Sequence, residues 1–267
     1  MVKDYIARKL EVNGIVQGVG FRPFVYNLAR RHDLKGDVAN TSSGIIIHIE
    51  GPMDKIEAFT TDLTEEPPPL ALMVDIAHHE SSIKGHGEFT IVQSSGEAAM
   101  STLISPDVSI CGDCRRELFD PGDRRYGYPF INCTNCGPRY TIIEDIPYDR
   151  PKTSMKHFKM CPPCQAEYDN PADRRFHAQP NACSVCGPQV TLYDNAQKKV
   201  AATDPIAKTA ALLKEGYIVA VKGLGGYHLA VDAQNDKAVA SLRKRKQREE
   251  KPFALMSADI DCIQDYA

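Results

Sequence analysis

Eight cysteines fall into two sets of four with one spacing, and thiolates so spaced suit one kind of chemistry, the closed binding of a metal ion. Cys111, Cys114, Cys133 and Cys136 form the first set and Cys161, Cys164, Cys183 and Cys186 the second; every cysteine recurs after 50 residues, with 18 residues between the knuckles in both sets. Two residues between cysteines let a tight turn aim both sulfurs at one ion, about 2.3 Å from each, and two such turns complete a tetrahedron. A closed four-sulfur shell leaves no position for water or substrate, so both sites are read as structural zinc. Pairing of knuckles within each copy is the simple arrangement, and pairing across copies would use the same eight ligands. Disulfides and thioredoxin-like redox chemistry are disfavoured, because paired knuckles in a chain without a secretory signal point to metal. Cys262 stands outside the pattern and is expected to be a small buried hydrophobe.

A second candidate for chemistry is the turn Gly14-Ile15-Val16-Gln17-Gly18-Val19-Gly20-Phe21-Arg22-Pro23. A strand that passes through a glycine-rich turn into a helix offers successive backbone N–H groups to an anion. Arg22 adds a guanidinium suited to bidentate pairing with phosphoryl oxygens. On residue types alone, the glycines serve equally well to shape a tight connection. A third candidate is Arg243-Lys244-Arg245-Lys246-Gln247-Arg248 with Lys251-Pro252, near a second glycine turn, Lys222-Gly223-Leu224-Gly225-Gly226. These cations suit nucleotide phosphates, or equally the solvated end of a basic helix.

The elements that must position these groups follow from periodicity. Ile6, Leu10 and Val12 alternate with polar neighbours as on a half-buried strand, and Phe24, Val25, Leu28 and Ala29 then repeat at helical spacing with Pro23 in the first turn. Residues 36–41 and 44–50 read as paired strands, 53–63 as a helix, 72–78 as a strand, and Phe89 and Ile91 as an added edge. Strand, helix, strand, strand, helix, strand describes a ferredoxin-like sandwich. Residues 94–110 read as a linker, and 111–191 as a duplicated unit in which Pro121, Asp123, Arg124, Arg125 and Gly137-Pro138 recur as Pro171, Asp173, Arg174, Arg175 and Gly187-Pro188. In its loops the aspartates and arginines are expected to pair locally. His177 is not needed as a ligand, and His48, His78 and His79 are expected on strand surfaces. From Asp204-Pro205 onward, a helix to Gly216, an apolar strand 217–221, a helix capped by Asn235 and a strand-like 253–256 indicate an α/β domain of which residues 200–267 are the start.

With 267 residues the chain has room for two complete units and part of a third, and it has no stretch of 18 consecutive apolar residues and no secretory leader. No membrane association is expected. A net charge of −3 does not favour nucleic acid, and unpaired knuckle cysteines indicate a reducing compartment, by default the cytoplasm.

Over the first ninety or so residues, G-x-V-Q-G-V-G-F-R followed by Gly36-Asp37-Val38-Ala39-Asn40 resembles the acylphosphatase family. The resemblance implies that the loop Val16, Gln17, Gly18, Val19, Gly20 and Phe21 cradles a phosphoryl group, that Arg22 binds it and that Asn40 orients the attacking water. The segment K-G-L-G-G-Y-H-L with R-K-x-R-x-x-K-P-F-A is similar to the start of a YrdC-like domain, which implies nucleotide contacts at Lys222, Lys246, Arg248 and Lys251. The order of all three parts, with Tyr128-Pro-Phe-Ile-Asn-Cys-Thr-Asn-Cys-Gly-Pro-Arg and Asp173-Arg-Arg-Phe-His-Ala-Gln-Pro between them, resembles the carbamoyltransferase HypF family of NiFe-hydrogenase maturation. That resemblance implies hydrolysis of carbamoyl phosphate at the first domain and, in full-length members, carbamoyl-adenylate formation from ATP. Transfer of the carbamoyl group to HypE, for the cyanide ligands of the hydrogenase, would follow on a domain this sequence lacks. The zinc region is expected to act as a wall or spacer beside an independently active first domain. A zinc-ribbon module that binds nucleic acid or protein, with a non-catalytic anion-binding first domain, is the alternative.

Overall fold

The computed structural model describes residues 5–41, 43–92, 105–248 and 250–266, and the chain divides into two compact units, residues 1–188 and 189–267. Most of the expected linker, residues 94–104, lies outside the described residues.

The first unit begins with the sandwich. Strand β1 (Tyr5–Ile15) runs into helix α1 (Phe21–Arg31), then β2 (Lys35–Asn40), β3 (Gly44–Pro52), helix α2 (Met53–Glu65), β4 (Leu72–Ser81) and a short β5 (Phe89–Ile91). The sheet order is β4-β1-β3-β2-β5; β1 pairs antiparallel with β3 and β4, β2 antiparallel with β3, and the edge strand β5 parallel with β2. Alternation along β1 and β3 sends Leu10, Val12, Ile45, Ile47 and Ile49 to one face, where they pack under Val25, Leu28, Ile56, Phe59 and Leu63 of the two helices. Each of these side chains is essentially inaccessible to water, and burying one contributes roughly 1.5–3 kcal/mol. His78 and His79 are exposed on β4, and His48 is half-buried beside Asp37, with Nδ1 and Oδ1 3.1 Å apart.

The zinc copies belong to the same unit. Each opens on a short helix that periodicity does not reveal, α3 (Gly112–Phe119) and α4 (Pro162–Asp169), with Cys111 and Cys161 at the helix N-caps. Cys114 and Cys164 lie buried one turn along these helices. Eight residues are too few for a clear apolar period, so the ligand cysteines are the main local cue.

In the second unit Asp204 caps α5 (Pro205–Lys214) by accepting from the N–H groups of Ile206 and Ala207, and Asn235 caps α6 (Asp236–Lys246) through Ala238. Strands β6 (Val219–Lys222) and β7 (Tyr227–Ala230) form an antiparallel hairpin around the glycine turn. Two expectations are corrected. Residues 253–256 are not a strand, because an apolar run becomes one only where a neighbour supplies the ladder, and none does among the described residues. Cys262 is exposed rather than buried, on a single-turn helix α7 (Ile260–Gln264) that buries none of its residues.

Candidate active site and metal centres

The eight knuckle sulfurs gather into two clusters, each drawn from one copy: Cys111, Cys114, Cys133 and Cys136, and Cys161, Cys164, Cys183 and Cys186. Pairing is therefore within copies. Closest sulfur separations are 3.7 Å for Cys111 and Cys133, 3.8 Å for Cys133 and Cys136, 3.7 Å for Cys161 and Cys183, and 3.6 Å for Cys164 and Cys186. A tetrahedron of sulfurs about 2.3 Å from zinc has edges of about 3.8 Å, so both clusters suit structural zinc.

The surroundings of the clusters correct the expected local pairing of aspartate with arginine. Asp123 and Asp173 accept from the backbone N–H groups of Arg125 and Arg175 at 2.7 and 2.8 Å, shaping their own turns. The guanidinium groups instead reach across. Arg124 and Arg125 of the first copy bind Glu167 of the second at 2.5 Å, and Arg174 and Arg175 of the second bind Glu117 of the first. Arg124 donates to Cys164 Sγ at 3.3 Å and Arg174 to Cys114 Sγ at 3.2 Å. The backbone is exchanged equally: Arg125 Nε donates to the Ala182 carbonyl and Arg175 Nε to that of Asn132.

The physical reason lies in charge. A zinc ion with four thiolates carries a net double negative charge, which buried cations offset, and each copy supplies them to the other. Burial opposes ionisation of Glu167, but hydrogen bonds from Arg125 and Arg124 prevail and hold its carboxyl down at about 2. Glu117 is lowered in the same way, against burial, by Arg175 and Arg174.

The glycine-rich turn lies between β1 and α1. Gly18 and Gly20 adopt φ of 73° and 77°, which glycine reaches without strain. A side chain at Gly18 would press on Arg139 and Tyr148, and one at Gly20 on Thr134, so the first zinc copy approaches the turn directly. Val16, Val19 and Phe21 are buried anchors. Buried Gln17 donates to the carbonyls of Thr41 and Gly44 at 2.7 and 2.8 Å, joining the turn to the β2–β3 connection. Arg22 is buried at the first turn of α1, and Asn40 is buried at the end of β2.

Arg22 and Asn40 line one pocket with Val16, Gly18 and Gly20. Its other wall comes from the zinc region: Thr134, Arg139, Tyr148, His177 and Gln179. Sequence reasoning missed these partners and the network behind them. Asp149 lies 2.7 Å from Arg22 Nη2. Tyr148 N–H donates to Gln17 Oε1 at 2.9 Å, and Asn40 Nδ2 donates to the Tyr148 carbonyl at 3.3 Å. Asn40 Oδ1 is buried without a partner among the described residues.

Arg139 is the strongest of these links. It is fully buried, and its five N–H donors are all used, on the carbonyls of Gly18, Cys136, Pro138, Cys133 and Thr134. One side chain thus ties the closing knuckle of the first zinc site to the phosphate-type turn. The signal available was a break in the repeat, since position 189, fifty residues on, is glutamine. These links place the first domain and the zinc copies in one compact unit, against the expectation of an independent first domain.

In the second unit, Arg248 donates to the carbonyls of Lys251 and Pro252 at 3.3 and 3.1 Å and lies over Phe253, 5.5 Å from the ring centre. Lys222 lies 5.4 Å from the ring centre of Tyr227, and Lys222, Lys246 and Lys251 are exposed. The structure therefore joins Arg248 to the backbone of Lys251, and Lys222 sits on the separate hairpin.

Comparison with known proteins matches the acylphosphatase family over residues 8–91, the HypF finger over 110–143 and 160–193, and the family described as telomere recombination, of the Sua5/YciO/YrdC type, over 211–267. Carbamoyltransferase HypF2 of Cupriavidus necator is 53% identical over 254 residues, covering 94% of this chain and 32% of its own length. The acylphosphatase of Thermotoga maritima is 37% identical over 86 residues, 32% of this chain and 94% of that protein. A crystal structure of full-length HypF in the phosphate- and nucleotide-bound form superposes with a TM-score of 0.92 at 52% identity, covering all of this chain and 35% of that one. The chain spans about a third of the length of the curated HypF relatives it matches. With an acylphosphatase sandwich, two HypF fingers and the start of a YrdC-type domain in this order, the chain belongs to the HypF carbamoyltransferases and corresponds to their N-terminal part.

Proposed function

We propose that this chain hydrolyses carbamoyl phosphate in the pocket shared by the sandwich and the zinc copies. Arg22 and the backbone of Val16, Gln17, Gly18, Val19, Gly20 and Phe21 hold the phosphoryl group, and Asn40 orients the attacking water through Oδ1. The water oxygen bonds to phosphorus as the phosphorus–oxygen bond to the acyl group breaks; carbamate leaves, and the water proton passes to the phosphate product. An acyl phosphate already has a good leaving group, so positioning and charge stabilisation suffice and no strong base is needed.

The observation that carries this reading is the pairing of Arg22 with Asn40, whose buried Oδ1 has no protein partner among the described residues, in one small pocket. The test is phosphate release from carbamoyl phosphate, corrected for spontaneous breakdown. Loss of release in both Arg22→Ala and Asn40→Ala is expected, and release that survives both would refute the assignment.

In the longer proteins of this family, the reading continues with carbamate joined to AMP from ATP, with Lys222, Lys246, Arg248 and Lys251 as nucleotide contacts. The carbamoyl group then passes to HypE, for the cyanide ligands of NiFe hydrogenase, in the cytoplasm. The domain boundaries proposed are 1–93, 94–110, 111–191 and 200–267. Two structural zinc ions hold the wall of the hydrolytic pocket. A nucleic-acid role has less support, because the loop arginines that would grip a backbone are engaged by Glu167 and Glu117.

A further inference from the structure

The two zinc copies share a left-handed backbone turn, at Gly127 (φ 66°) and at His177 (φ 52°), positions that are 50 residues apart. In the first copy the residue is the type this conformation favours, and open space surrounds it. The second copy keeps the turn but builds it with histidine, which tolerates the conformation less well than glycine. A side chain retained at a strained position is a pointer to function when a site lies beside it.

Such a site is present. His177 lines the pocket that holds Arg22 and Asn40. Its ring is held by two neighbours, Tyr168 at 5.0 Å between ring centres and the edge-on Phe176 at 4.6 Å. Phe176 in turn packs on Tyr26 of α1, 5.4 Å away, so the ring is fixed relative to the sandwich and not only to its own loop. Burial first, and then the nearby Arg22 charge, push the imidazole down to about 4; Asp149 and Asp169 act weakly in the other direction. Near neutral pH it is therefore an uncharged ring with one N–H donor and one lone-pair acceptor.

Acyl phosphates differ in what their acyl groups offer such a ring. A carbamoyl group carries an NH₂ donor beside its carbonyl, whereas an acetyl group carries a methyl. We propose that His177 is a specificity-determining residue of this pocket, accepting a hydrogen bond from the carbamoyl NH₂ and so favouring carbamoyl over acetyl phosphate. The inference rests on the acyl-phosphate reading above and adds the residue that recognises the acyl end. An acetyl group would leave the imidazole acceptor unpaired in a half-buried site, the situation in which polar sites discriminate best.

The test compares phosphate release from carbamoyl phosphate and acetyl phosphate by the zinc-loaded chain and by His177→Gly and His177→Asn. Glycine suits the turn, as Gly127 does in the first copy, and asparagine tolerates it while restoring a hydrogen-bond acceptor. In His177→Gly the ratio of kcat/KM for the two substrates should fall roughly tenfold or more, with acetyl phosphate hydrolysis nearly unchanged. The asparagine variant should recover part of the ratio, and inhibition by inorganic phosphate should be the same in all three proteins. An unchanged ratio, or an equal fall for both substrates, would overturn the role of His177. Release from neither substrate by the unmodified chain would instead overturn the acyl-phosphate reading on which it rests.

Discussion

The carboxylate of Asp149, in the loop between the zinc copies, lies 2.7 Å from the guanidinium of Arg22 in the sandwich. Arg22 is thereby aimed by the zinc region, and any phosphoryl group it receives must compete with this carboxylate. Asp149→Asn removes the negative charge but can keep a hydrogen bond. Inorganic phosphate should then inhibit more strongly, by roughly tenfold, the equivalent of about 1.4 kcal/mol. The inhibition constant for phosphate measures this, and weaker inhibition would show that Asp149 positions Arg22 more than it competes.

Arg139 offers the sharpest stability prediction. Replacement by alanine strands five carbonyls, of which those of Cys133 and Cys136 are buried and those of Gly18 and Thr134, half-buried, adjoin the candidate site. A loss of at least about 3 kcal/mol is expected, because unmatched buried polar groups cost about 1–3 kcal/mol each and some will find water. Arg139→Lys should rescue little, since an ammonium has fewer donors and cannot reproduce the planar fork. Denaturant midpoints of the three proteins are the measurement.

Zinc removal should abolish hydrolysis as well as the fold of the fingers. Cys133 and Cys136 close the first cluster, and their carbonyls anchor Arg139, which binds the Gly18 carbonyl. Cys133→Ser, or chelation under mild denaturant, is expected to reduce phosphate release in parallel with zinc content. Activity that survives the loss of zinc would restore the picture of an independent first domain.

The reciprocal arginines predict coupling between the two metals. Arg124 lies 3.3 Å from a ligand sulfur of the other copy, and Arg174 makes the equivalent contact at 3.2 Å. Arg124→Ala should weaken the second zinc site, and Arg174→Ala the first, by about 10–100-fold, the usual consequence of losing a partner to a metal ligand. Competition with a colorimetric chelator reads both affinities. Weakening of the mutated copy's own site instead would refute the exchange.

His177 carries a pH signature. Its folded value is about 4, below the ordinary histidine value near 6.5, so the unfolded chain binds the extra proton more readily between the two. The stability it contributes is complete above about pH 6.5 and is lost as pH falls toward 4. Between pH 7 and 5 that loss is on the order of 1–2 kcal/mol, measurable as a denaturant midpoint that falls more in the native chain than in His177→Asn.

Much of this protein can be read along the chain. The alternation of Leu10 and Val12, the caps at Asp204 and Asn235, and the helix start beside Arg22 are local matters, set by periodicity and by which side chains reach nearby backbone donors. The zinc ligands were legible for the same reason, as a knuckle is a contact between residues three apart. The helices α3 and α4 were not, because eight residues centred on a ligand cysteine carry too little apolar pattern. Residues 253–256 failed in the opposite sense, with a strand-like composition and no ladder partner among the described residues.

The sequence by itself therefore determined the parts: a sandwich with a glycine turn running into Arg22, eight thiolates in two closed shells, and a basic helix end beyond them. Only the tertiary structure decided how the first two meet. Arg139 on Gly18, Asp149 on Arg22 and the Tyr148 carbonyl on Asn40 join residues more than a hundred positions apart, and Arg124 and Glu167 exchange charge between copies. Such contacts leave no period in the chain. They follow from the need of buried charges and carbonyls for partners, which packing alone can bring within reach.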